Sequence, residues 1–308
     1  MMRKLALAAL LLLLSGPALA DDGDFGLLIM AHGGTPHWNA HVRAAVAPIA
    51  TEVPAEIAFG MADADSLQEA VAALEARGVT RIGVVRLFID GGSFYERTEK
   101  ILGLRHGAPP PEQRKESPMP GMRMATYRIE TKAKFALALE GLIDAHETET
   151  ILVDRVRDLS VAPTEEVLVL IAHGAGSQET NARLQRLMQE RARVVMEELQ
   201  LRDLRVHTLA EDWSDLRPSN EIAIRESLTV ARAEGLMPVV IPFRLAGFGP
   251  YAEVLEGLEY RANEVGLLPH AAITDWIRRQ AKVLEGARFV SPADAADADF
   301  TTPEPSLR

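Results

Sequence analysis

The chain has 308 residues, of which 47% are hydrophobic and 25% charged, a composition typical of a globular protein with about two domains. The net charge of −11 excludes the basic surface that binds nucleic acid, and an aromatic content of 5% leaves little for base stacking. Because the chain has no cysteine, it holds no disulfide, and its core alone must stabilise it in an oxidising compartment.

The N-terminus has the pattern of a cleaved export signal. Arg3 and Lys4 precede the apolar run 5–14, and a small-x-small cleavage motif ends at Ala20. The run is shorter than the about 20 residues that a membrane-spanning helix needs, so an uncleaved anchor is the weaker alternative. We predict that residues 1–20 are a signal peptide and that the mature protein is periplasmic or secreted, with no membrane span.

The first half begins with a buried strand. Phe25 opens a continuous apolar run that ends in Ala-His32-Gly, a pattern typical of a parallel strand buried on both faces. Strands are then predicted over 55–59 and 81–89, and helices over 38–51, 66–76 and 95–102. A short strand and a helix are predicted within 132–146, an exposed loop over 107–122, and a linker or interdomain strand over 151–164.

The same order then occurs a second time. An apolar run that opens at Val167 ends in Ala-His173-Gly. Strands are predicted over 204–209 and 238–245, and helices over 179–199, 221–233, 251–264 and 271–284. Alternating strands and helices predict an α/β fold with two similar domains, each a mostly parallel sheet with helices on both faces.

The repeat also predicts the domain limits. We place the two similar domains over 25–150 and 165–288, and a disordered tail over 292–308.

His32 and His173 stand where the first strand of each half gives way to glycine. Ligands of open α/β sheets bind outside the carboxyl ends of the strands, and Gly33 and Gly174 let the backbone approach a ligand closely. The next helix offers N–H groups to an anion, and its positive end favours the neutral imidazole that metal binding and proton abstraction need. Both histidines are therefore candidate ligands or bases; a structural role at a strand end is the alternative.

Further candidate ligands lie near these histidines. His37 and His41 are four residues apart, a spacing that clasps a metal on one helix face, although a solvated pair is the simpler interpretation. Glu211 follows the second strand of the second half, with Asp212 and Asp215 close behind it. We predict that these carboxylates share the sheet edge of His173, with Glu211 as a candidate metal ligand.

The first half has its own carboxylates. Asp63 and Asp65 follow its second strand, and we assign Asp65 to capping of the next helix. Asp90 ends the third strand and is a candidate for the same crevice as His32.

The two Ala-His-Gly openings and the third-strand segments 86–96 and 241–251 resemble the sirohydrochlorin chelatase family of the CbiX/SirB type, over most of residues 25–285. The resemblance implies two chelatase-like domains around a cleft that holds a tetrapyrrole. It also implies that histidines bind the incoming divalent metal (cobalt, iron or nickel) and help to remove pyrrole protons.

The sequence departs from that pattern in three ways. The family's second histidine would fall on Ser93 or Phe94 in the first half, and on Phe248 or Gly249 in the second. The family's glutamate would fall on Met61 in the first half. The family usually acts in the cytoplasm, whereas we predict that this chain is exported.

Two functions therefore follow from the resemblance. The first is a lyase of the chelatase type, in which His32, His173 and Glu211 hold the metal and a histidine accepts a pyrrole proton. The macrocycle would contact the helix N-termini and aromatic rings at these positions: Gly33, Gly34, Gly174, Ser177, Phe94, Phe248, Trp213 and Tyr251. The alternative is a non-catalytic periplasmic protein that binds the metal or the tetrapyrrole; another activity on the same scaffold is a third option.

Overall fold

The computed structural model of the protein describes residues 24–116 and 124–293. The predicted signal peptide, most of the predicted tail and part of the predicted 107–122 loop lie outside these ranges. Within them, no helix is both long enough and apolar enough to cross a bilayer.

The first half contains a four-stranded, fully parallel sheet in the order β2-β1-β3-β6. The elements of this half are β1 (Phe25–Ala31), α1 (Pro36–Ala50), β2 (Ala55–Phe59), α2 (Ala64–Ala76), β3 (Arg81–Leu87), α3 (Tyr95–Ile101), β4 (Lys115–Glu116), β5 (Ala125–Thr126) and β6 (Lys134–Leu137). The short strands β4 and β5 pair with each other in an antiparallel ribbon.

The second half repeats this arrangement with a parallel sheet in the order β8-β7-β9. Its elements, after the connecting α4 (Glu147–Arg157), are β7 (Glu166–Ala172), α5 (Gln178–Leu199), β8 (Asp203–Thr208), α6 (Arg217–Ala233), β9 (Met237–Phe243), α7 (Tyr251–Val254) and α8 (Ala271–Glu285). A single parallel bridge between Val239 and Arg261 stands where the first sheet has its fourth strand.

Helices cover both faces of each sheet, as the apolar runs predict. Successive side chains of a strand point to opposite faces, so Leu27 and Leu28 of β1 enter different cores. Leu27 packs in the cluster that contains Val42 of α1, and Leu28 packs in the cluster that contains Leu67 of α2. The predicted α/β class with two similar parallel sheets is therefore confirmed.

The helices α4 and α8 are exchanged between the halves. α4, which ends the first half, packs against α5 and β9 of the second; α8, which ends the second half, packs against α1 and β3 of the first. One core cluster therefore joins β1, α1, α4, β7, α5 and α8. The predicted limit at residue 150 falls within α4. The domain limits 25–150 and 165–288 stay a prediction.

Parts of three predictions are wrong. The short strand predicted within 132–146 is present as β6, which completes the sheet beside β3, but turns replace the helix predicted there. Residues 147–157 are helical rather than a linker; an acidic first turn and a basic last turn favour a helix despite its β-branched residues. The helix predicted over 251–264 ends at Val254, and Gly257 then turns the chain with φ 78°.

The cap of α2 also differs from the prediction. Asp63, not Asp65, caps this helix by accepting a hydrogen bond from the Ser66 N–H at 3.0 Å. Asp65 lies in the first turn and accepts a hydrogen bond from the Tyr127 hydroxyl at 3.0 Å.

His207 on β8 makes the stability of the fold depend on pH. Its Nε2 lies 2.9 Å from the Ser227 hydroxyl, and burial, with a smaller effect of the Arg205 charge, lowers the pKa of His207 to about 4. An unfolded histidine has a pKa near 6.5, so below that pH the unfolded chain binds a proton that the folded chain refuses.

We expect this residue to cost about 2 kcal/mol of stability between pH 7.5 and pH 5. His207→Gln keeps a partner for Ser227 and should lose that much less over the same interval. Urea unfolding of both proteins at the two pH values measures the difference; parallel losses would contradict the buried neutral histidine.

Candidate functional site

Equivalent glycine turns follow the first strand of each half. Gly33 and Gly174 have φ of 78° and 85°, in the left-handed region that favours glycine. A Cβ on Gly174 would also lie 2.7 Å from the Ala210 nitrogen, closer than a side chain allows. The two turns therefore hold His32 and His173 at equivalent points on the carboxyl edges of their sheets.

An asparagine on the following helix fixes each of these loops. The Asn39 side-chain oxygen accepts a hydrogen bond from the Gly34 N–H at 2.9 Å. The buried Asn181 accepts one from the Ala175 N–H at 2.8 Å and donates one to the Ala175 carbonyl at 2.9 Å. The sequence analysis missed both residues, although asparagine a few residues after a glycine turn often closes a local loop.

Some of the groups that were predicted to bind anionic side groups already have hydrogen-bond partners within the protein. The Gly34 N–H is already paired with Asn39. Ser177 caps α5, accepting a hydrogen bond from the Thr180 N–H at 3.1 Å, as Thr35 caps α1. Ligand binding by Gly33, Gly34, Gly174 and Ser177 stays a prediction.

The hydrogen bonds of both histidines select one tautomer. Nδ1 lies 2.8 Å from the Gly33 carbonyl oxygen in His32, and 3.1 Å from the Gly174 carbonyl oxygen in His173. A carbonyl only accepts, so Nδ1 carries the hydrogen and Nε2 has the lone pair of the neutral ring. A bond of this kind orients metal-binding histidines elsewhere, and here it leaves Nε2 as the nitrogen that faces a ligand in both halves.

His173 faces two carboxylates. Its Nε2 lies 3.1 Å from Asp212 Oδ2 and 4.0 Å from Glu211 Oε2. The Glu211 side chain is only 12% exposed and pairs with Arg244 at 3.0 Å, whereas that of Asp212 is 77% exposed. Because a lone pair and two carboxylates repel one another, this arrangement calls for a proton or a metal cation between them. The predicted approach of Glu211 to His173 is thus present in the structure.

Within the part of the chain that the structure describes, no carboxylate pairs with His32 as Asp212 does with His173. His32 is exposed, and its ring contacts Trp38 with the centroids 6.4 Å apart. The parallel registers pair Ala31 with Phe59 in the first half and Ala172 with Thr208 in the second. Counted from these pairs, Ala62, rather than Met61, occupies the position equivalent to Glu211. The two edges therefore differ, and the carboxylates accompany the histidine only in the second half.

The predicted ligands do not gather at one point. No group of three or more histidine, aspartate or glutamate side chains within 24–116 and 124–293 could together hold a metal ion. His32 is accordingly not joined to His173 and Glu211 in a three-ligand site. Any metal at His173 needs further ligands from water or from a second molecule.

The predicted aromatic contacts lie deeper than expected. Phe248 is 6% exposed and packs on Tyr251 and Tyr260 at centroid distances of 5.7 and 6.3 Å. Tyr251 is fully buried; burial and the nearby Glu211 charge raise the pKa of its hydroxyl well above the ordinary value. Phe94 is half-buried against Phe88. Stacking of these rings on a macrocycle stays a prediction.

Trp213, unlike those rings, lies directly beside a candidate histidine. Its ring meets His173 edge-on, with the centroids 5.8 Å apart. Each candidate histidine therefore has a tryptophan beside it, Trp38 in the first half and Trp213 in the second.

An ion pair brings the two carboxyl edges together. Arg183, in the second turn of α5, lies with its Nη1 3.4 Å from both carboxylate oxygens of Asp90, which follows β3. Because α5 begins at the carboxyl edge of the second sheet and Asp90 lies at that of the first, the two edges adjoin. A separate cavity of about 260 Å³ contains neither histidine and is lined by Tyr95, Arg105, Phe135 and Arg288 among others.

Comparisons with known proteins agree with this architecture. The CbiX family model matches residues 26–130. No curated protein sequence matches the chain.

Solved structures match over both halves. SirB from Bacillus subtilis with Fe³⁺ is similar with a TM-score of 0.59 and 14% identity, over 87% of this chain and 100% of SirB. The sirohydrochlorin chelatase SirB from the subspecies spizizenii, in complex with cobalt, gives a TM-score of 0.57 and 14% identity over the same shares. The multi-domain, chelatase-like DR2241 of Deinococcus radiodurans gives 0.50 and 18%, over 89% of this chain and 59% of that one.

The fold is thus the one shared with the SirB structures, built from two α/β halves. The match of residues 26–130 to the CbiX family model and these structural similarities confirm the predicted resemblance to CbiX/SirB-type chelatases.

Proposed function

We propose that this protein handles a divalent transition metal together with a tetrapyrrole at the adjoining carboxyl edges of its two sheets. The observation that carries the proposal is the position of His173 Nε2, 3.1 Å from Asp212 and 4.0 Å from Glu211, an arrangement that a proton or a metal cation must complete. A metal cation there would relieve the repulsion among these groups. Cobalt or iron is the first candidate, because the similar SirB structures contain cobalt or Fe³⁺.

The incomplete ligand set fits a metal that is a substrate. One histidine and the exposed carboxylate of Asp212 hold a cation without enclosing it, so that it can be passed to a stronger ligand. Insertion of a divalent metal into a tetrapyrrole releases two protons from pyrrole nitrogens. As the metal leaves Nε2 of His173 for the pyrrole nitrogens, the freed Nε2 would accept one of these protons as general base, and solvent or Asp212 the other.

A non-catalytic binding protein is the second candidate. Arg244 already neutralises Glu211 at 3.0 Å, and Ser93, Phe94, Phe248 and Gly249 stand where the family has its second histidine. This candidate keeps metal or tetrapyrrole binding and omits insertion. For either function we propose a location outside the cytoplasm, which the sequence pattern of residues 1–20 supports.

We expect His173→Ala to weaken Co²⁺ binding by at least tenfold, because the imidazole is the strongest ligand of the group. Asp212→Asn should weaken it less, since that carboxylate is mostly exposed. Calorimetry and quenching of Trp213 fluorescence measure the affinity. The matched control is His106→Ala, which removes an exposed histidine and should leave binding unchanged.

Absorbance spectra with sirohydrochlorin and Co²⁺ distinguish the two candidates. Insertion faster than in the protein-free control, and slowed in His173→Ala, identifies a chelatase. A spectral shift without insertion identifies a binding protein. Equal Co²⁺ affinity in wild type and His173→Ala, with no spectral effect, would reject both.

A further inference from the structure

His37 and His41 lie on the first turns of α1, and their rings are already in contact. The ring centroids are 4.3 Å apart, with the planes at 66°. His37 is exposed and His41 half-buried. Within the ranges that the structure describes, neither ring has a hydrogen-bond or carboxylate partner. Two adjacent imidazoles on one turn of a helix are thus without a protein partner among the described residues.

We propose that His37 and His41 form a separate two-histidine site for a transition-metal dication. The helix fixes their spacing of one turn, so little side-chain freedom is lost when one cation bridges the two rings. Imidazole pairs bind Cu²⁺ and Ni²⁺ more tightly than Co²⁺, by the general order of divalent metals, and water completes the coordination. The site therefore takes borderline metals that accept nitrogen ligands.

The site belongs to the first half alone. The helices α1 and α5 can be aligned residue by residue. The N-cap Thr35 matches Ser177, and the loop-binding Asn39 matches Asn181. On that alignment His37 corresponds to Glu179, and His41 corresponds to Arg183. The second half thus has an acidic and a basic residue where the first half has two histidines.

Electrostatics act in both directions at this site. The positive end of α1 opposes the binding of a dication near the first turns of the helix. The overall charge of −11 offsets part of that opposition. Two ligands on a rigid helix are therefore needed together, and either one alone should bind poorly.

The test uses Cu²⁺ and the full-length protein carrying His32→Ala and His173→Ala, so that its outcome does not depend on the proposed function. Calorimetry should show one Cu²⁺ bound per chain, with at least tenfold weaker binding after His37→Gln or His41→Gln. Glutamine keeps the helix surface polar, and circular dichroism checks that each variant folds. The control, His106→Ala with His146→Ala, removes two exposed histidines and should bind Cu²⁺ as before.

Trp38 gives a second readout, because it lies between the two histidines in sequence. With Trp213→Phe in the same background, Cu²⁺ should quench Trp38 fluorescence only when the pair is intact. Equal stoichiometry and affinity with and without His37 and His41 would overturn the proposal, as would a loss of binding in the control.

Discussion

Arg86→Ala is expected to destabilise the protein by about 4 kcal/mol, through a cavity and several carbonyl groups left without a donor. The Arg86 residue is 1% exposed on β3. Its guanidinium donates to the Ser93 carbonyl at 2.7 Å, to the Ala138 carbonyl at 3.2 and 3.3 Å, and to the Gly91 carbonyl. It also lies 4.5 Å from the centre of the Tyr95 ring.

The opposing effect is the cost of burying the charge. Burial lowers the pKa of Arg86 to about 10, against smaller opposing contributions from Tyr95 and Asp90. Arg86→Met fills much of the same volume without charge, so it removes the burial cost but leaves the carbonyls unpaired. We expect Arg86→Met to lose about half as much stability as Arg86→Ala.

Urea unfolding at pH 7.5 measures both variants. Arg77→Ala is the control, because Arg77 is exposed and paired with Glu56 at 3.2 Å; it should cost less than about 1 kcal/mol. A methionine variant more stable than wild type would show that hydrogen bonding by Arg86 does not outweigh the burial of its charge.

Arg279→Ala should cost about 3 kcal/mol, because it leaves two carboxylates facing each other without a cation. Arg279 on α8 donates two hydrogen bonds to Glu147, at 2.7 and 2.8 Å, and further bonds to Glu140. Glu147 is 8% exposed and begins α4, so the pair joins the two exchanged helices. Trp276 of α8 donates to the same Glu140 at 3.0 Å.

The pH dependence of this loss has a definite sign. Burial raises the pKa of Glu147, but the hydrogen bonds and charge of Arg279 lower it by more, so that the pKa lies below its ordinary value. The stabilisation is therefore complete above the unfolded pKa, near 4.3, and is lost as the pH falls through the folded pKa. The difference between wild type and Arg279→Ala should shrink below about pH 4.

Arg278→Ala is the matched control for this variant. Arg278 is the next residue on α8, and its bonds to Glu52 are on the surface. It should lose less than about 1 kcal/mol. Equal losses in the two variants, measured by urea unfolding at pH 7.5, would show that the Arg279–Glu147 pair stabilises the protein no more than the surface pair does.

Local patterns predicted the strands and most helices because their signals lie within a few residues. The apolar runs before His32 and His173 mark buried parallel strands, and the structure has β1 and β7 there. The failures are long-range in origin. The helix expected within 132–146 is replaced by turns, in which the Leu142 and Ile143 N–H groups bond to the Phe88 and Ile89 carbonyls after β3, and nothing within the segment itself records those partners.

The candidate site shows the same division. Order along the chain placed Glu211 on the edge of His173, since carboxyl ends of adjacent parallel strands meet. The ion pair of Glu211 with Arg244 and the pairing of Asp90 with Arg183 involve residues 33 and 93 positions apart. Such contacts depend on how sheets and halves pack, which short motifs do not encode.

The exchange of α4 and α8 limits how the molecule can open. Each of these helices seals an apolar surface of the opposite half, so the halves cannot swing apart about a hinge without baring both surfaces to water. Under the function proposed above, a tetrapyrrole would be admitted by movement of the strand-end loops, with the sheets themselves staying fixed.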